Sequence, residues 1–261
     1  MLQLMNCLFP SESGEAYIPS KPAKYVLKAR ILTDSKPYFV YSVYLYCGKG
    51  TEGLTLTPEW RIVRLCKPIV NSNRNTTCDN WYIYIQLVEE LRNMRLALVG
   101  TMIKNIKEIP NEFLSLNKRT SGFTNNTTLL SHVPKILKTV LQISTMHHSL
   151  EVGHETNILE IIAHYKKTEG GVDTVDEKCS KYCSSQRTRY WRMGLFLHLL
   201  DMSSLNAFIV TNYYETDITF MKAQGKQLTQ YALQERFVNA RLPRELRMAV
   251  ERVLRTDMKP N

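Results

Sequence analysis

The chain has 261 residues, of which 44% are hydrophobic, enough for one large domain or for a core that carries an insertion. Lysine and arginine number 34 against 24 acidic residues, so the net charge is +10, which favours a polyanionic partner such as nucleic acid. The six cysteines lack the spacing of a disulfide scaffold and the first residues lack a basic signal-peptide region, which argues against a small secreted domain and favours a reducing, intracellular compartment.

The first hundred residues predict strands that alternate with helices. β-rich runs at 25–33 and 38–46 flank Asp34-Ser35-Lys36-Pro37, a composition typical of a hairpin turn. The next predicted elements, in chain order, are a helix from Pro58 to Ile69, a short strand at 75–78, a helix with Leu87, Val88 and Leu91 on one face, and a buried strand at 96–100.

The rest of the chain changes from polar to helical. Residues 115–132 are rich in Asn, Thr and Ser and lack a helical period, so we predict a loop or peripheral insertion there. Two more strands are predicted at 137–145 and 158–165, and the chain after Gly170-Gly171 is predicted to be helical, with the last helices at about 228–239 and 243–255. Strands early and helices late predict an α/β domain with a mixed sheet and a helical C-terminal part.

An apolar stripe from Trp191 to Ile209 marks the longest predicted helix. Arg192, His198 and Asp201 interrupt this stripe, so no apolar run is predicted to reach the length of a membrane span. We therefore expect no membrane partner.

Acids at the ends of two elements are the candidate catalytic residues. Asp79 follows the strand at 75–78, and Gly170-Gly171-Val172-Asp173-Thr174-Val175-Asp176 places two carboxylates three residues apart at the start of a helix. Two acids on separate elements of a basic protein suggest a divalent-metal site that acts on a phosphodiester backbone. Taken singly, Asp79 and Asp173 are better explained as helix N-caps, and Asp176 as an acid that favours a helix N-terminus by its charge.

Cysteines and histidines give weaker signals. Cys179 and Cys183 lie four residues apart on one helical face, but two further zinc ligands are lacking nearby, so we interpret them as packing residues. The histidines at 147, 148, 154 and 164 are irregularly spaced, and we interpret them as surface or strand-end residues.

Basic residues gather around the helix that follows Asp173. Aromatic residues are interleaved among them, and beside a metal site they could hold DNA phosphates, which contribute affinity without sequence reading. The candidates for DNA binding are Lys178, Lys181, Arg187, Arg189 and Arg192. A solvated helix face is the alternative, and we prefer it for the final helices, where positive and negative charges alternate.

Four ordered segments resemble those of piggyBac-type transposases, over about residues 17 to 215. They are the run from Tyr17 to Tyr25 (YIPSKPAKY), the segment Thr77-Cys78-Asp79-Asn80-Trp81, the segment Val99-Gly100-Thr101 with Lys104-Asn105 and Glu108-Ile109-Pro110 after it, and Gly170 to Asp176 followed by Arg187, Arg189, Trp191 and residues 206–209. The occurrence of four motifs in the family's order argues against a chance match.

The resemblance implies a ribonuclease H-like core in which three aspartates bind two Mg²⁺ or Mn²⁺ ions. It also implies nicking of transposon ends by water attack, a hairpin intermediate, integration at TTAA, a nuclear location and a homodimer. By motif match Asp79 is the second family acid, Asp173 is the third, and Asp176 is a further acid near the site.

The chain departs from the family pattern at the first acid. That acid would fall between Leu2 and Met5, where no acid occurs; Asp34 lies on the wrong side of the Tyr17 run, and Glu12 and Glu15 lack the apolar pattern of a strand. We expect a degenerate or truncated N-terminus at 1–16, a core at 17–215 with an insertion-like segment at 115–157, and a helical extension at 216–261 without the family's zinc module.

Two functions therefore stay open, besides a transcribed relic without function and an intact enzyme represented by a partial gene model. The first is a transposase core with impaired strand transfer, in which loss of the first acid weakens metal binding. The alternative is a transposase-derived, non-enzymatic protein that binds DNA or chromatin.

Overall fold

The computed structural model of the chain describes residues 2–10, 16–17, 25–46, 58–114, 120–124, 126–135, 138–149, 158–181, 183–184, 190–211, 217–239 and 241–256. The chain divides into two units, Met1–Ile209 and Val210–Asn261. The acids singled out above all belong to the first unit.

One mixed sheet of nine strands organises the described part of the first unit. In chain order the strands are β1 (Leu2–Pro10), β2 (Ala16–Tyr17), β3 (Tyr25–Asp34), β4 (Val40–Tyr46), β5 (Asn75–Cys78), β6 (Ala97–Met102), β7 (Thr120–Thr124), β8 (Thr127–Lys135) and β9 (Lys138–Ser144). Their order across the sheet is β2-β3-β1-β5-β6-β9-β8-β7, and β4 also pairs with β3, on the edge away from β1. The pairs β1–β5 and β5–β6 are parallel, and the other pairs are antiparallel.

β1 lies in the centre of this sheet. It pairs with β3 along its whole length, from Leu2 opposite Asp34 to Pro10 opposite Val26. On its other side it pairs with β5, where Gln3 lies opposite Thr77 and Leu4 lies opposite Cys78. The strand end that precedes Asp79 is therefore a direct neighbour of β1.

Seven α-helices occur in the described residues. They are α1 (Pro58–Cys66), α2 (Ile85–Asn93), α3 (Glu160–Thr168), α4 (Gly171–Lys181), α5 (Trp191–Thr211), α6 (Asp217–Val238) and α7 (Arg244–Thr256). The last two form a helical pair in the second unit.

The sheet of the first unit is covered by helices on both faces. One core cluster joins Leu32 of β3 to Ile62 of α1 and Leu87 of α2. A second cluster joins Ile31 of β3 to Val175 of α4. Because neighbouring residues of a strand point to opposite faces, Ile31 and Leu32 supply one side chain to each core. The result is a three-layer α/β arrangement.

Three predictions of secondary structure are wrong, those for residues 158–165, for the start of α6 and for residues 115–132. Residues 158–165 were expected to form a strand, but α3 occupies Glu160–Thr168. The apolar run that starts at Ile158 is too short for its period to separate strand from helix. The start of α6 is Asp217 rather than residue 228.

The polar segment 115–132 is also not a loop where the structure describes it, because it contributes β7 and most of β8. Hydroxyl groups replace apolar side chains at two buried positions of β8: Ser131 Oγ donates to the carbonyl oxygen of Phe113 at 2.7 Å, and Thr128 Oγ1 donates to that of His147. Satisfied hydroxyls allow a strand of this composition to be buried.

Helix α5 has the length and composition of a membrane span over Arg192–Thr211, with a mean hydropathy of 1.5, contrary to the expectation from its interrupting polar residues. Met202 and Leu205 pack in the second core cluster, against residues of β3 and α4. Asp201 is 3% exposed, and its Oδ1 accepts a hydrogen bond from the Ser184 N–H at 3.0 Å. Packing inside the first unit thus accounts for Met202 and Leu205, whereas Met193 and Phe196 of the same helix are exposed.

The Asn206 side chain connects α5 to the start of β4 through two hydrogen bonds. Its Oδ1 accepts the Val40 N–H at 2.8 Å, and its Nδ2 donates to the Val40 carbonyl oxygen at 2.8 Å. Asn206→Asp keeps the acceptor and loses the donor, so we expect the free energy of unfolding, measured by urea denaturation at neutral pH, to fall by about 1–3 kcal/mol. The same exchange at exposed Asn105 should change it by less than about 0.5 kcal/mol. Equal effects at the two positions would contradict a role for this pair of bonds.

Candidate active site

Asp79 lies in a turn directly after β5, at the end of a parallel strand. Its Oδ1 accepts the N–H of Asn80 at 2.6 Å, and its carbonyl oxygen accepts the N–H of Tyr82 at 3.1 Å. Helix α2 begins six residues later, with Tyr84 as its N-cap. Asp79 therefore does not cap α2, so the interpretation of this residue as a helix N-cap is excluded. Its half-buried side chain lies at the carboxyl end of β5.

Asp173 is the third residue of α4 and is exposed. The carbonyl oxygen of Gly170 accepts the Thr174 N–H at 3.1 Å, so Gly170 stands at the N-cap position. Asp173 thus lies inside the first turn of the helix, where a negative charge is favoured by the helix dipole.

Glu169, between α3 and α4, links the two aspartates electrostatically. Burial raises the pKa of its carboxyl group, Lys166 lowers that pKa, and the negative charges of Asp173 and Asp79 raise it again. Glu169 is therefore close enough to both aspartates to interact with their charges, and we refer to the region around Asp79, Glu169 and Asp173 as the acidic corner. Glu169 was not predicted from the sequence, since its contact with Gln3 spans 166 residues.

Two tyrosines border Asp79. Burial raises the pKa of Tyr165 to about 12, a hydrogen bond with Thr101 lowers it, and the charge of Asp79 raises it. Burial likewise raises the pKa of Tyr82, which the charge of Arg30 lowers in part. Both phenols are therefore neutral at physiological pH and can act as hydrogen-bond donors.

The chemistry of this corner suits a hard cation, since carboxylate oxygens are the ligands that Mg²⁺ and Mn²⁺ prefer. Within the described ranges, however, no group of three or more His, Cys, Asp or Glu side chains is placed to hold an ion. Mg²⁺ is commonly bound by one or two carboxylates, with waters and substrate phosphates completing its shell. Asp79 and Asp173 thus fit a site in which two carboxylates hold the ion and waters and substrate phosphates supply the other ligands. They do not fit a site in which protein side chains supply every ligand.

The strand beside Asp79 supplies no acid. The window from Leu2 to Met5, expected to hold the first metal acid, lies in β1, and residues 2–10 contain neither Asp nor Glu. Because Leu4 lies opposite Cys78, the next positions of the two parallel strands are Met5 and Asp79. Glu12 and Glu15 lie outside the described residues, and Asp34 lies opposite Leu2, at the end of β3.

Asp176 lies one turn after Asp173 on α4 and is half-buried. Burial raises the pKa of the Cys179 thiol to about 12, and the charges of Asp201 and Asp176 add to this effect. Asp176 is thus grouped with Cys179, which packs in the second core as predicted. Cys183 is exposed, contrary to its interpretation as a packing residue.

The candidate DNA-binding residues are only partly described. Lys178 and Lys181 lie on α4, half-buried and exposed respectively, and Arg192 is exposed at the start of α5. Arg187 and Arg189 lie outside the described residues. The two lysines follow Asp173 by five and eight residues on the same helix.

The histidines are less exposed than predicted. His147 follows β9 but is only 8% exposed, and its ring lies 5.3 Å from that of His164 on α3. Its Nδ1 is 2.8 Å from Ser144 Oγ. Burial lowers the pKa of both imidazoles. His148 is exposed as expected, and His154 lies outside the described residues.

Comparison with known proteins identifies relatives of this domain. A family model described as Transposase IS4 matches residues 5–208. One similar solved structure is a cryo-EM structure of a piggyBac transposase synaptic complex with hairpin DNA, with a TM-score of 0.87 and 28% sequence identity. The match covers 100% of this chain and 57% of that chain, so this chain spans little more than half the length of its solved relative. The likeness confirms the predicted ribonuclease H-like α/β fold.

Proposed function

Because this chain belongs to the IS4 transposase family, in its piggyBac-type form, we propose that it is a DNA-binding transposase core with impaired strand cleavage and transfer. The solved relative is a complex with hairpin DNA, and the net charge of +10 suits the same polyanionic partner here. The proposal includes transposon ends and TTAA as its DNA targets, a homodimer and a nuclear location.

The observation that carries the proposed impairment is the composition of β1. This strand lies beside β5, yet its residues 2–10 supply no carboxylate to the corner that holds Asp79 and Asp173. Asp79 and Asp173 are the residues that would hold a divalent cation. Such a cation would supply activation of the attacking oxygen and stabilisation of the leaving oxygen in a displacement at phosphorus. With two acids in place of three, we expect weak cation binding and inefficient strand transfer.

The chain's own residues can also hold the DNA. Lys178 and Lys181 follow the acidic corner on α4, and Arg192 opens α5. Their charges would neutralise phosphates, which gives affinity that falls with salt and carries no sequence reading. Neutral Tyr82 and Tyr165 would border the phosphate that is positioned at Asp79.

A double substitution tests this DNA contact. We expect Lys178→Glu/Lys181→Glu to weaken binding of a duplex at least about tenfold at low salt, and to reduce the steepness of the salt dependence, because two phosphate contacts are lost. Gel shifts over a salt series measure both quantities. The matched control is Lys104→Glu with Lys107→Glu, two exposed lysines after β6, which should change affinity much less. Equal losses in the two double variants would contradict the assignment of the contact to α4.

A nicking assay tests the impairment. Wild-type protein with Mg²⁺ or Mn²⁺ should nick supercoiled plasmid only at trace level. Efficient metal-dependent nicking that Asp79→Ala abolishes would contradict the proposal and establish an intact enzyme.

The non-enzymatic alternative has one observation in its favour, the lack of a three-ligand metal group in the described part of the chain. A salt-dependent gel shift that survives both Asp79→Ala and Asp173→Ala, together with no nicking at all, would select that alternative.

A further inference from the structure

Gln3 makes an unusual pair of contacts from the central strand. Its side chain is 4% exposed, and it joins β1 to the corner between α3 and α4. The side-chain Nε2 donates to the carbonyl oxygen of Glu169, and the side-chain Oε1 accepts the N–H of Val172 at 2.9 Å. The side-chain amide of Gln3 therefore bonds both a carbonyl group at the end of α3 and an N–H group at the start of α4.

Both partners are groups that helices leave unsatisfied. Val172 lies in the first turn of α4, where the N–H groups lack intrahelical acceptors, and Glu169 is the C-cap of α3. Only a side chain with both a donor and an acceptor can serve the two at once, which Gln does and Met or Leu does not.

Gly171 allows the close approach that these bonds need. A Cβ at this buried position would lie 3.0 Å from Gln3 Oε1 and 3.2 Å from the carbonyl oxygen of Asp34. The start of α4 thus packs closely against β1 and against the turn after β3.

A second contact fixes the same corner to the neighbouring strand. Thr77 Oγ1 donates to Thr168 Oγ1 at 2.8 Å, and both residues are fully buried. Thr77 lies two residues before Asp79, and Val172 lies one residue before Asp173. The two contacts together therefore set the distance and direction between the two aspartates.

We infer that Gln3 is a positioning residue, which holds Asp173 in register with Asp79 through the backbone of Glu169 and Val172. The inference rests on the proposed function, since it concerns the same two carboxylates. Gln3 does not touch a reacting atom in this role. Groups that orient metal ligands in this manner typically change metal affinity about 10–100-fold when they are lost.

Mn²⁺ alone is the probe that tests the inference, with free Mn²⁺ measured by electron paramagnetic resonance. Gln3→Met keeps the size of the side chain and removes both hydrogen bonds. We expect about a tenfold weaker Mn²⁺ affinity, together with faster hydrogen exchange of the Val172 amide. Thr77→Val, which preserves the shape of the second contact residue, should also weaken Mn²⁺ binding and serves if Gln3→Met does not fold.

Gln142→Met is the matched control. Gln142 is a buried glutamine of the same sheet, 3% exposed on β9, and its Oε1 has no hydrogen-bond partner in the part of the chain that the structure describes. This variant should leave Mn²⁺ affinity unchanged. All affinities are compared at a temperature at which circular dichroism shows each variant to be folded.

Two outcomes overturn the inference, and they are distinct. If the wild type binds Mn²⁺ and Gln3→Met and Thr77→Val bind it equally well, Gln3 has only a structural role and the proposed function stands. If the wild type binds no Mn²⁺, the metal part of the proposed function fails and the inference fails with it.

Discussion

Met5→Asp is expected to raise the affinity of the protein for Mn²⁺ by at least about tenfold, which corresponds to about 1.4 kcal/mol. Position 5 follows Gln3 by two residues on β1, and since alternate residues of a strand share a face, we expect an aspartate there on the face from which Gln3 contacts α4. The parallel pairing of β1 with β5 places this position beside Asp79. The corner would then hold acids from β1, from the end of β5 and from α4, and a third carboxylate can bridge or complete the cation shell.

The same variant should gain a measurable activity. Because a more tightly held cation stabilises the leaving oxygen during displacement at phosphorus, Met5→Asp should nick supercoiled plasmid above the trace level of the wild type. Electron paramagnetic resonance of free Mn²⁺ measures the affinity, and conversion of supercoiled to open-circular plasmid measures the nicking.

Two controls separate charge from shape. Met5→Asn has the same size as Met5→Asp without the charge and should bind Mn²⁺ like the wild type. Met5→Asp combined with Asp79→Asn should lose the gain, because the new acid acts only together with the old one. Equal affinities for the aspartate and asparagine variants would show that position 5 does not face the metal corner.

Gly100→Ala is expected to lower the free energy of unfolding by about 3 kcal/mol or more, at the upper end of overpacking effects. A Cβ at this position would lie 2.3 Å from the carbonyl oxygen of Cys78 and 2.3 Å from Ile83 Cδ1. The Ile83 side chain can rotate away, whereas the Cys78 carbonyl belongs to the strand that pairs with Gly100. Since Asp79 is the next residue, any relief of the clash displaces the end of β5 and its acid.

Urea denaturation measures the effect, and Gly194→Ala is the control. Gly194 lies in α5, and a Cβ there meets no atom within 4 Å. In a helix, alanine is favoured over glycine by about 1 kcal/mol, so this control should be neutral or more stable than the wild type. A loss below about 1 kcal/mol in Gly100→Ala would mean that β5 and β6 separate easily at this point.

The parts of the fold that local patterns encode could be predicted from the sequence. The hairpin of β3 and β4 was predicted from alternating β-rich runs around a turn of Asp, Ser, Lys and Pro, and the structure confirms it. The strand before Asp79 and the helix that holds Leu87 are confirmed for the same reason. Each is a segment whose own composition and period decide its structure.

The parts that were missed depend on residues far apart in the chain. Glu169 lies in the acidic corner because Gln3 bonds to its carbonyl oxygen and Thr77 bonds to the preceding residue, Thr168. These bonds span 166 and 91 residues, so no local sequence pattern predicts them. The sequence predicts a strand in place of α3 because the apolar run fits either period, and the packing of α3 against Leu130 decides between them. For α6, many exposed side chains leave no clear apolar stripe from which its start could be read.

The position of β1 also determines when the acidic corner can form during folding. Val172 bonds to a residue 169 positions earlier, and Thr168 to one 91 positions earlier. Contacts of such high sequence separation incur loop-closure entropy before they stabilise anything, which slows folding. In a chain made from its N-terminus, β1 and β3 can pair early, while Asp79 must wait for α4 to be synthesised. During synthesis the two aspartates can therefore come together only after α4 has been made, and until then the face of β3 that packs on α4 lacks this partner.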